Sequence, residues 1–340
     1  MPMPPLTEET QRWTPATADD RPVTKAGLIV NPRSGKSSGK GLALAEKLRG
    51  DANISVKIIE RFEQLGALIG ELAAEGVSDL FISSGDGTIH AIQTELGERN
   101  PFALLPRLAL LPHGTTNMTA ADLGFRHRSI AAQAAFMRNL QPNDLRARPT
   151  IRCLNPHDGR PRQGMFLGCG AVASGTLYCQ EAFNAKGVKG SFATFGTLAS
   201  IIAKSLFTPF DPMDETRFDR PCGIAIDADG RNIASGPQLL MMATTLQKLV
   251  LNTRPFWGGQ TGPIRTTIIP HPIPSVVRWL LPVMYGGENR TPPPRTTSFC
   301  ARTLAIRTSS AFVMDGEFFN PPAEGTLQVE TGPVFTFICG

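Results

Sequence analysis

Three short apolar runs, each leading into a polar loop with glycine and then a helix-like stretch, constrain this chain more than any other feature. They are Gly27-Leu28-Ile29-Val30, Asp79-Leu80-Phe81-Ile82-Ser83 and Leu108-Ala109-Leu110-Leu111-Pro112. Short apolar runs bounded by turn signals read as buried strands. The first delivers the loop Asn31 to Gly41 and a helical run from Leu42 to Arg49. The second delivers Ser84-Gly85-Asp86-Gly87-Thr88, after which Ile89, Ile92 and Leu96 keep helical spacing until Asn100-Pro101 stops the run. The third delivers His113-Gly114-Thr115-Thr116-Asn117 and the alanine-rich Met118 to Leu123. Strand, loop and helix repeated in this way predict a parallel α/β sheet, with all three loops at the carboxyl edge where such sheets bind ligands.

The loops suit phosphate. Gly85 and Gly87 let the backbone approach an anion closely, and a helix starting there points free N–H groups at it. Asp86 has no evident packing role in that setting and suits a metal ion or a hydroxyl, although an ordinary turn with an Asp cap reads the same way. Arg33, Lys36 and Lys40 in the first loop match phosphate oxygens. The hydroxyls and amide of the third match ribose, base or phosphate. The first loop is not a P-loop, because Val30 and Ser34 stand where the required first glycine would be. Nor does Gly39-Lys40-Gly41 complete the dinucleotide fingerprint.

These residues resemble the diacylglycerol kinase catalytic-domain family, which includes bacterial lipid kinases, sphingosine kinases and ceramide kinases. Asn31-Pro32-Arg33-Ser34-Gly35 resembles its Asn-Pro-x-x-Gly loop, Ser84-Gly85-Asp86-Gly87-Thr88 its central Gly-Asp-Gly-Thr loop, and Pro112 to Asn117 its Pro-x-Gly-Thr-x-Asn loop. Asp315-Gly316-Glu317 resembles its late Asp-Gly-Glu. The resemblance implies a Rossmann-like nucleotide domain of the NAD kinase and phosphofructokinase kind, followed by an antiparallel β-sandwich, with the site in the cleft between them. It implies ATP and Mg²⁺, and transfer of the γ-phosphate to a lipid hydroxyl. Asn31, Arg33, Ser34, Gly35, Lys36, Ser84, Gly85, Gly87, Thr88, Gly114, Thr115 and Asn117 would line the nucleotide. Asp86, Asp315 and Glu317 would be catalytic and hold the metal, with Asp86 as the base and the other two serving Mg²⁺; the reverse assignment stays open. Asp315-Gly316-Glu317 also reads as a plain tight turn between Phe312-Val313-Met314 and Phe318-Phe319.

A chain of 340 residues, 41% of them hydrophobic, suits two domains. Residues 1–24, rich in Pro and Thr and lacking the pattern of a signal peptide, read as a flexible tail. Residues 25–147 form the expected ATP domain and 148–340 the lipid domain, with the last strand free to return to the first. The second region holds the strand-like runs Gly164 to Leu167, Cys222 to Ile226, Leu239 to Met242, Thr303 to Ile306 and Val334 to Phe337. Phe192 to Leu206 reads as a helix. Six cysteines without metal spacing point to free thiols in a reducing cytoplasm. His90 follows the glycine loop within reach of phosphate, but reads first as a helix-surface residue.

Charge gathers in one place. Arg231 to Met314 carries nine basic residues against the single acid Glu288, whereas the whole chain is only +5. Residues 254–285 interleave arginine with Phe256, Trp257, Trp279 and Tyr285, a pattern that suits the headgroups of an anionic leaflet but is too broken by proline to span one. The expected location is therefore cytoplasmic, peripheral on the inner membrane face. No nucleic-acid motif accompanies the charge. Gly168 to Ser174 resembles the strand on which sphingosine-type kinases carry an acid. Ser174 stands at that position here, which leans toward neutral acceptors such as diacylglycerol or ceramide. An NAD kinase-like soluble-substrate kinase and an inactive lipid-binding module are the competing readings.

Overall fold

The apolar runs form the centre of a parallel sheet because they are buried on both faces. The structure, a computed structural model, describes residues 23, 25–33, 38–113, 118–186, 217, 220–249, 252–258, 262–272, 282–287 and 290–340. Its first region runs β1 (Ala26–Val30), α1 (Ser38–Lys47), β2 (Ile54–Ile58), α2 (Leu65–Ala74), β3 (Asp79–Ser83), α3 (Asp86–Arg99), β4 (Arg107–Leu110), α4 (Met118–Leu123) and α5 (Ile130–Arg138). Strand order is β4-β3-β1-β2, all parallel. Along each strand, side chains alternate between two cores. Leu28, Val30 and Phe81 meet Leu44 of α1, Leu48 just after it and Met137 of α5. Ile29, Leu80 and Ile82 meet Ile69 and Leu72 of α2 and Ile89, Ile92 and Leu96 of α3. One polar pair lies inside the sheet: Arg107 clamps Asp79 through bonds of 2.6 and 2.9 Å, with the two residues 2% and 0% exposed.

Two helices start earlier than their apolar spacing indicates, at Ser38 and Asp86 rather than Leu42 and Ile89. Their first turns face the loops at the sheet edge and have no core to bury, so they carry no apolar signal.

The second region runs β5 (Leu145–Cys153), β6 (Arg162–Gly164), β7 (Phe166–Gly170), α6 (Ala171–Lys186), β8 (Cys222–Ala228), β9 (Arg231–Thr244), β10 (Ile264–Pro270), β11 (Thr297–Ala301), β12 (Thr303–Arg307), β13 (Phe312–Met314), β14 (Glu317–Phe319) and β15 (Thr326–Ile338). Apart from the contact of β15 with β4, its pairings are antiparallel, as in a β-sandwich. Alternate residues such as Cys222, Ile224, Ile226 and Ala228 fill a third core. The two regions share one sheet. β15 pairs with β12 and β5, bulges between Thr331 and Val334, and reaches β4 in parallel at Phe337 and Leu108.

Two sequence expectations need correction. Gly164 to Leu167 is not one strand: β6 ends at Gly164 and β7 begins at Phe166. Gly168 to Ser174 is not one strand either, because Gly170 takes φ +66° and Ala171 opens α6, which carries Ser174. The expected helix at 192–206, the tail apart from Val23, and residues 259–261 and 273–281 of the basic–aromatic segment lie outside the described residues. Within that segment Phe256 belongs to the core, while Tyr285 is exposed. Among the described residues no helix is long and apolar enough to cross a membrane.

Candidate active site

The three loops start level with one another. Val30 pairs with Ser83 and Ile82 with Leu110, so the chain leaves β1, β3 and β4 at the same edge. The Asn31 N–H donates to the Ser83 carbonyl at 3.1 Å. Its side-chain amide donates to Thr88 Oγ1 at 2.8 Å, tying the first loop to the second. The Arg33 N–H closes back onto Asn31 Oδ1 at 3.0 Å. The third loop is tied through His113, whose Nδ1 lies 2.8 Å from Ser83 Oγ. Burial pushes the His113 imidazole down to about 4, with Lys40 adding to the fall against a smaller upward pull from Gln133. It is therefore neutral at physiological pH.

Asp86 opens α3 between two glycines. Its Oδ2 accepts the Met118 N–H at 3.2 Å, while Oδ1 is buried with no hydrogen-bond partner. Burial, then the neighbouring Asp315 carboxylate and to a lesser degree Glu317, raise the Asp86 carboxyl well above the ordinary carboxylate range. The Met118 and Thr119 N–H groups oppose that rise without cancelling it.

Asp315 and Glu317 come from the hairpin of β13 and β14. Met314 pairs with Glu317, leaving Asp315 (φ +47°) and Gly316 (φ +88°) as a two-residue turn of the Asp-Gly kind. Asp315 is 4% exposed, and its carboxylate accepts the Met165 N–H at 2.9 Å and the Phe166 N–H at 2.9 Å. This wrapping bends the chain between β6 and β7. It also requires glycine at 164, where a Cβ would stand 2.6 Å from Asp315 Oδ2. The exposed Asp229-Gly230 turn uses its carboxylate in the same way, on the Arg302 and Thr303 N–H groups. The plain-turn reading of Asp315-Gly316-Glu317 thus describes its backbone, and the same turn projects Glu317 toward α3. Glu317 lies so close to Gly87 that a Cβ there would come within 2.3 Å of its Oε1.

A cleft of about 1070 Å³ opens in front of these groups. Asn31, Gly85, Gly87, Thr88 and Glu317 line it, as do His90, Glu95, Arg160, Arg162 and Phe319. Asp86, half-buried, and Asp315, buried, are not among its lining residues. Ser84 is fully buried with an unpartnered hydroxyl, and Arg33 is exposed at the first loop. Ser34, Gly35, Lys36, Gly114, Thr115 and Asn117 lie outside the described residues. His90 corrects its sequence reading, since it is buried rather than on the helix surface. The spacing Asp86, His90, Gln93 puts all three on one helix face, a signal available in the sequence.

An α/β domain with phosphate-suited loops at its strand ends, faced by a hairpin from an antiparallel sandwich, is the arrangement also found in solved diacylglycerol kinase structures. Residues 25–146 match the family model described as diacylglycerol kinase catalytic domain. Kinase chemistry is what the family implies. The whole chain is similar to a diacylglycerol kinase from Bacillus anthracis str. Sterne, at 17% identity and a TM-score of 0.61, with 94% of this chain and 98% of that one covered. Another structure from that organism aligns over the same shares at 17% identity and a TM-score of 0.64. An NAD kinase from Archaeoglobus fulgidus in complex with ATP aligns at 11% identity and a TM-score of 0.44, covering 91% of this chain and 92% of that one. At this identity the likeness to the two Bacillus anthracis structures is one of fold. No curated protein sequence matches the chain.

Proposed function

We propose that this chain is an ATP-dependent lipid kinase that transfers the γ-phosphate to the primary hydroxyl of a neutral membrane lipid, diacylglycerol or ceramide. The observation that carries the reading is the state of Asp86: one oxygen fixed by a backbone N–H, the other buried and free, and an affinity for protons raised by burial and two nearby carboxylates. Phosphoryl transfer demands positioning and charge control, with a carboxylate to take or orient the hydroxyl proton. A base works best with a pKa near the working pH, and the environment of Asp86 moves it that way. Its free Oδ1 accepts the hydroxyl proton while Oδ2 holds the orientation. Asn31, Gly85, Gly87 and Thr88, with the first N–H groups of α3, receive the phosphates in the cleft.

The donor set fits Mg²⁺. Two carboxylates, Asp315 and Glu317, act on Asp86, whose Oδ1 is buried and unpartnered, and a hard cation would relieve that repulsion. Among the described residues no three His, Cys, Asp or Glu side chains form an all-protein cage. Mg²⁺ takes one or two carboxylates and completes its shell with phosphate and water. Glu317 would hold it, with Asp315 behind it, leaving the free Oδ1 of Asp86 for the hydroxyl proton. Bound there, it would neutralise charge on the transferred phosphoryl group.

Residues 25–147 serve the nucleotide in this reading, and 148–340 the lipid. The basic–aromatic segment 254–285 meets the anionic surface. Ser174 in place of an acid leaves a free amine without a counter-charge, which supports a neutral acceptor.

Transfer of ³²P from ATP with Mg²⁺ to diacylglycerol, ceramide, sphingosine and NAD tests the reading. Label in a neutral lipid supports it and names the acceptor. Label in NAD keeps the kinase and removes the lipid. ATP binding without any transfer would make the chain a binding module.

A further inference from the structure

α3 carries a polar stripe that the chemistry above does not use in full. Asp86, His90 and Gln93 share one face, and the last two are 5% and 0% exposed. Both ring nitrogens of His90 are buried without a hydrogen-bond partner, as are both amide atoms of Gln93. An imidazole desolvated without a hydrogen bond costs stability, so its place needs a reason in what it touches.

His90 touches the β13–β14 hairpin at two points. Its Nδ1 lies 3.8 Å from Asp315 Oδ2, in the turn. Its ring sits 5.6 Å from that of Phe319, at the far end of β14. Phe319 also receives the Arg162 guanidinium at 5.5 Å and stacks on Phe312 at 5.7 Å. These contacts matter because β14 is a three-residue strand at the end of the sheet, paired with β13 alone. Glu317 and Phe319 are two residues apart and so share a face of that strand. The same face meets α3 one turn apart, Glu317 at Gly87 and Phe319 at His90.

We infer that His90 is a positioning residue that clamps the hairpin to α3, fixing Glu317 over Gly87 and so the spacing between Glu317 and Asp86. It acts through Asp315 and Phe319 and does not itself handle the transferred group. The inference rests on the kinase reading of this site, but its first consequence is mechanical.

Hydrogen–deuterium exchange and kinetics on the full chain test it. His90→Ala should speed exchange across 312–319 by about tenfold or more, leaving 26–33 unchanged. His90→Phe keeps a ring against Phe319 but loses the Asp315 contact, and should return that exchange part of the way to the wild-type rate. With an acceptor in hand, His90→Ala should lower kcat about tenfold while the KM for ATP stays within about twofold. In a Glu317→Gln background it should lower kcat no further, because both changes remove one function. Unchanged exchange at 312–319 in a folded His90→Ala protein would overturn the inference, whatever the activity. Absence of transfer by the wild type would instead overturn the kinase reading and leave the exchange result standing.

Discussion

Gly87→Ala should separate stability from turnover. Gly87 is the second residue of α3 and does not use the left-handed backbone reserved for glycine, so alanine fits its conformation. The added Cβ would stand 2.3 Å from Glu317 Oε1, whereas ordinary contact begins at 3.4 Å. The carboxylate must therefore retreat by about 1 Å, and it can, because it is the end of a flexible exposed side chain. The fold loses little. Alanine in place of glycine in a helix contributes up to about 1 kcal/mol of stability. Turnover behaves differently, since a catalytic group misplaced by 1 Å costs about 10²-fold. The variant should melt at or above the wild-type temperature and transfer ³²P from ATP about 10²-fold more slowly. Gly70→Ala is the control: Gly70 lies inside α2 with nothing within 4 Å of an added Cβ, so it should gain stability without losing rate. Turnover of Gly87→Ala within about threefold of wild type would refute the placement of Glu317 at the reacting centre.

Asp86→Asn should bind ATP within a few-fold of wild type and lose at least about 10²-fold in kcat; near-normal turnover would remove Asp86 as the base. Its raised folded-state pKa means the native protein holds that proton more tightly than the unfolded chain, so ionising Asp86 weakens the fold as pH rises above 3.8. Asp86→Asn should accordingly melt higher than wild type at pH 7 without divalent ions, and a lower melting temperature would contradict this. His113 acts in the opposite sense: with its pKa held down from 6.5 to about 4, stability is full above 6.5 and is lost as pH falls toward 4. That loss is on the order of 3 kcal/mol between pH 7 and pH 4. Urea unfolding of His113→Gln should show a shallower pH dependence by that amount, and identical slopes would count against it. Arg107→Met strands the Asp79 carboxylate inside the sheet and should cost about 3–5 kcal/mol in the same assay, a loss under about 1 kcal/mol being the refuting result.

Much of the α/β region could be read from the chain because its strands are buried on both faces and its loops carry glycine in fixed places. Ile29 and Leu28 face different cores, so the run Gly27 to Val30 shows no alternation and can only be an inner strand. Helix starts were less legible, since the first turn of α3 exists to face the cleft and contains Asp86, Gly87 and Thr88 rather than core residues. The break at Met165 could not be read locally. Its cause is a carboxylate 150 residues away, whose two oxygens draw the Met165 and Phe166 N–H groups out of a regular strand.

The sequence by itself determined the strand–loop–helix order, the polarity of the three loops and the Asp-Gly turn before Glu317, because these depend on short-range spacing and on what glycine and aspartate permit. Only the tertiary structure decided which acids meet. Asp86 and Asp315 are far apart in the chain, and their proximity comes from β13 docking on β7 while α3 covers the turn. The same docking buries His90, which nothing in its own helix requires. Burial and the Asp315 carboxylate together raise the proton affinity of Asp86, and that property belongs to the fold rather than to any segment of it.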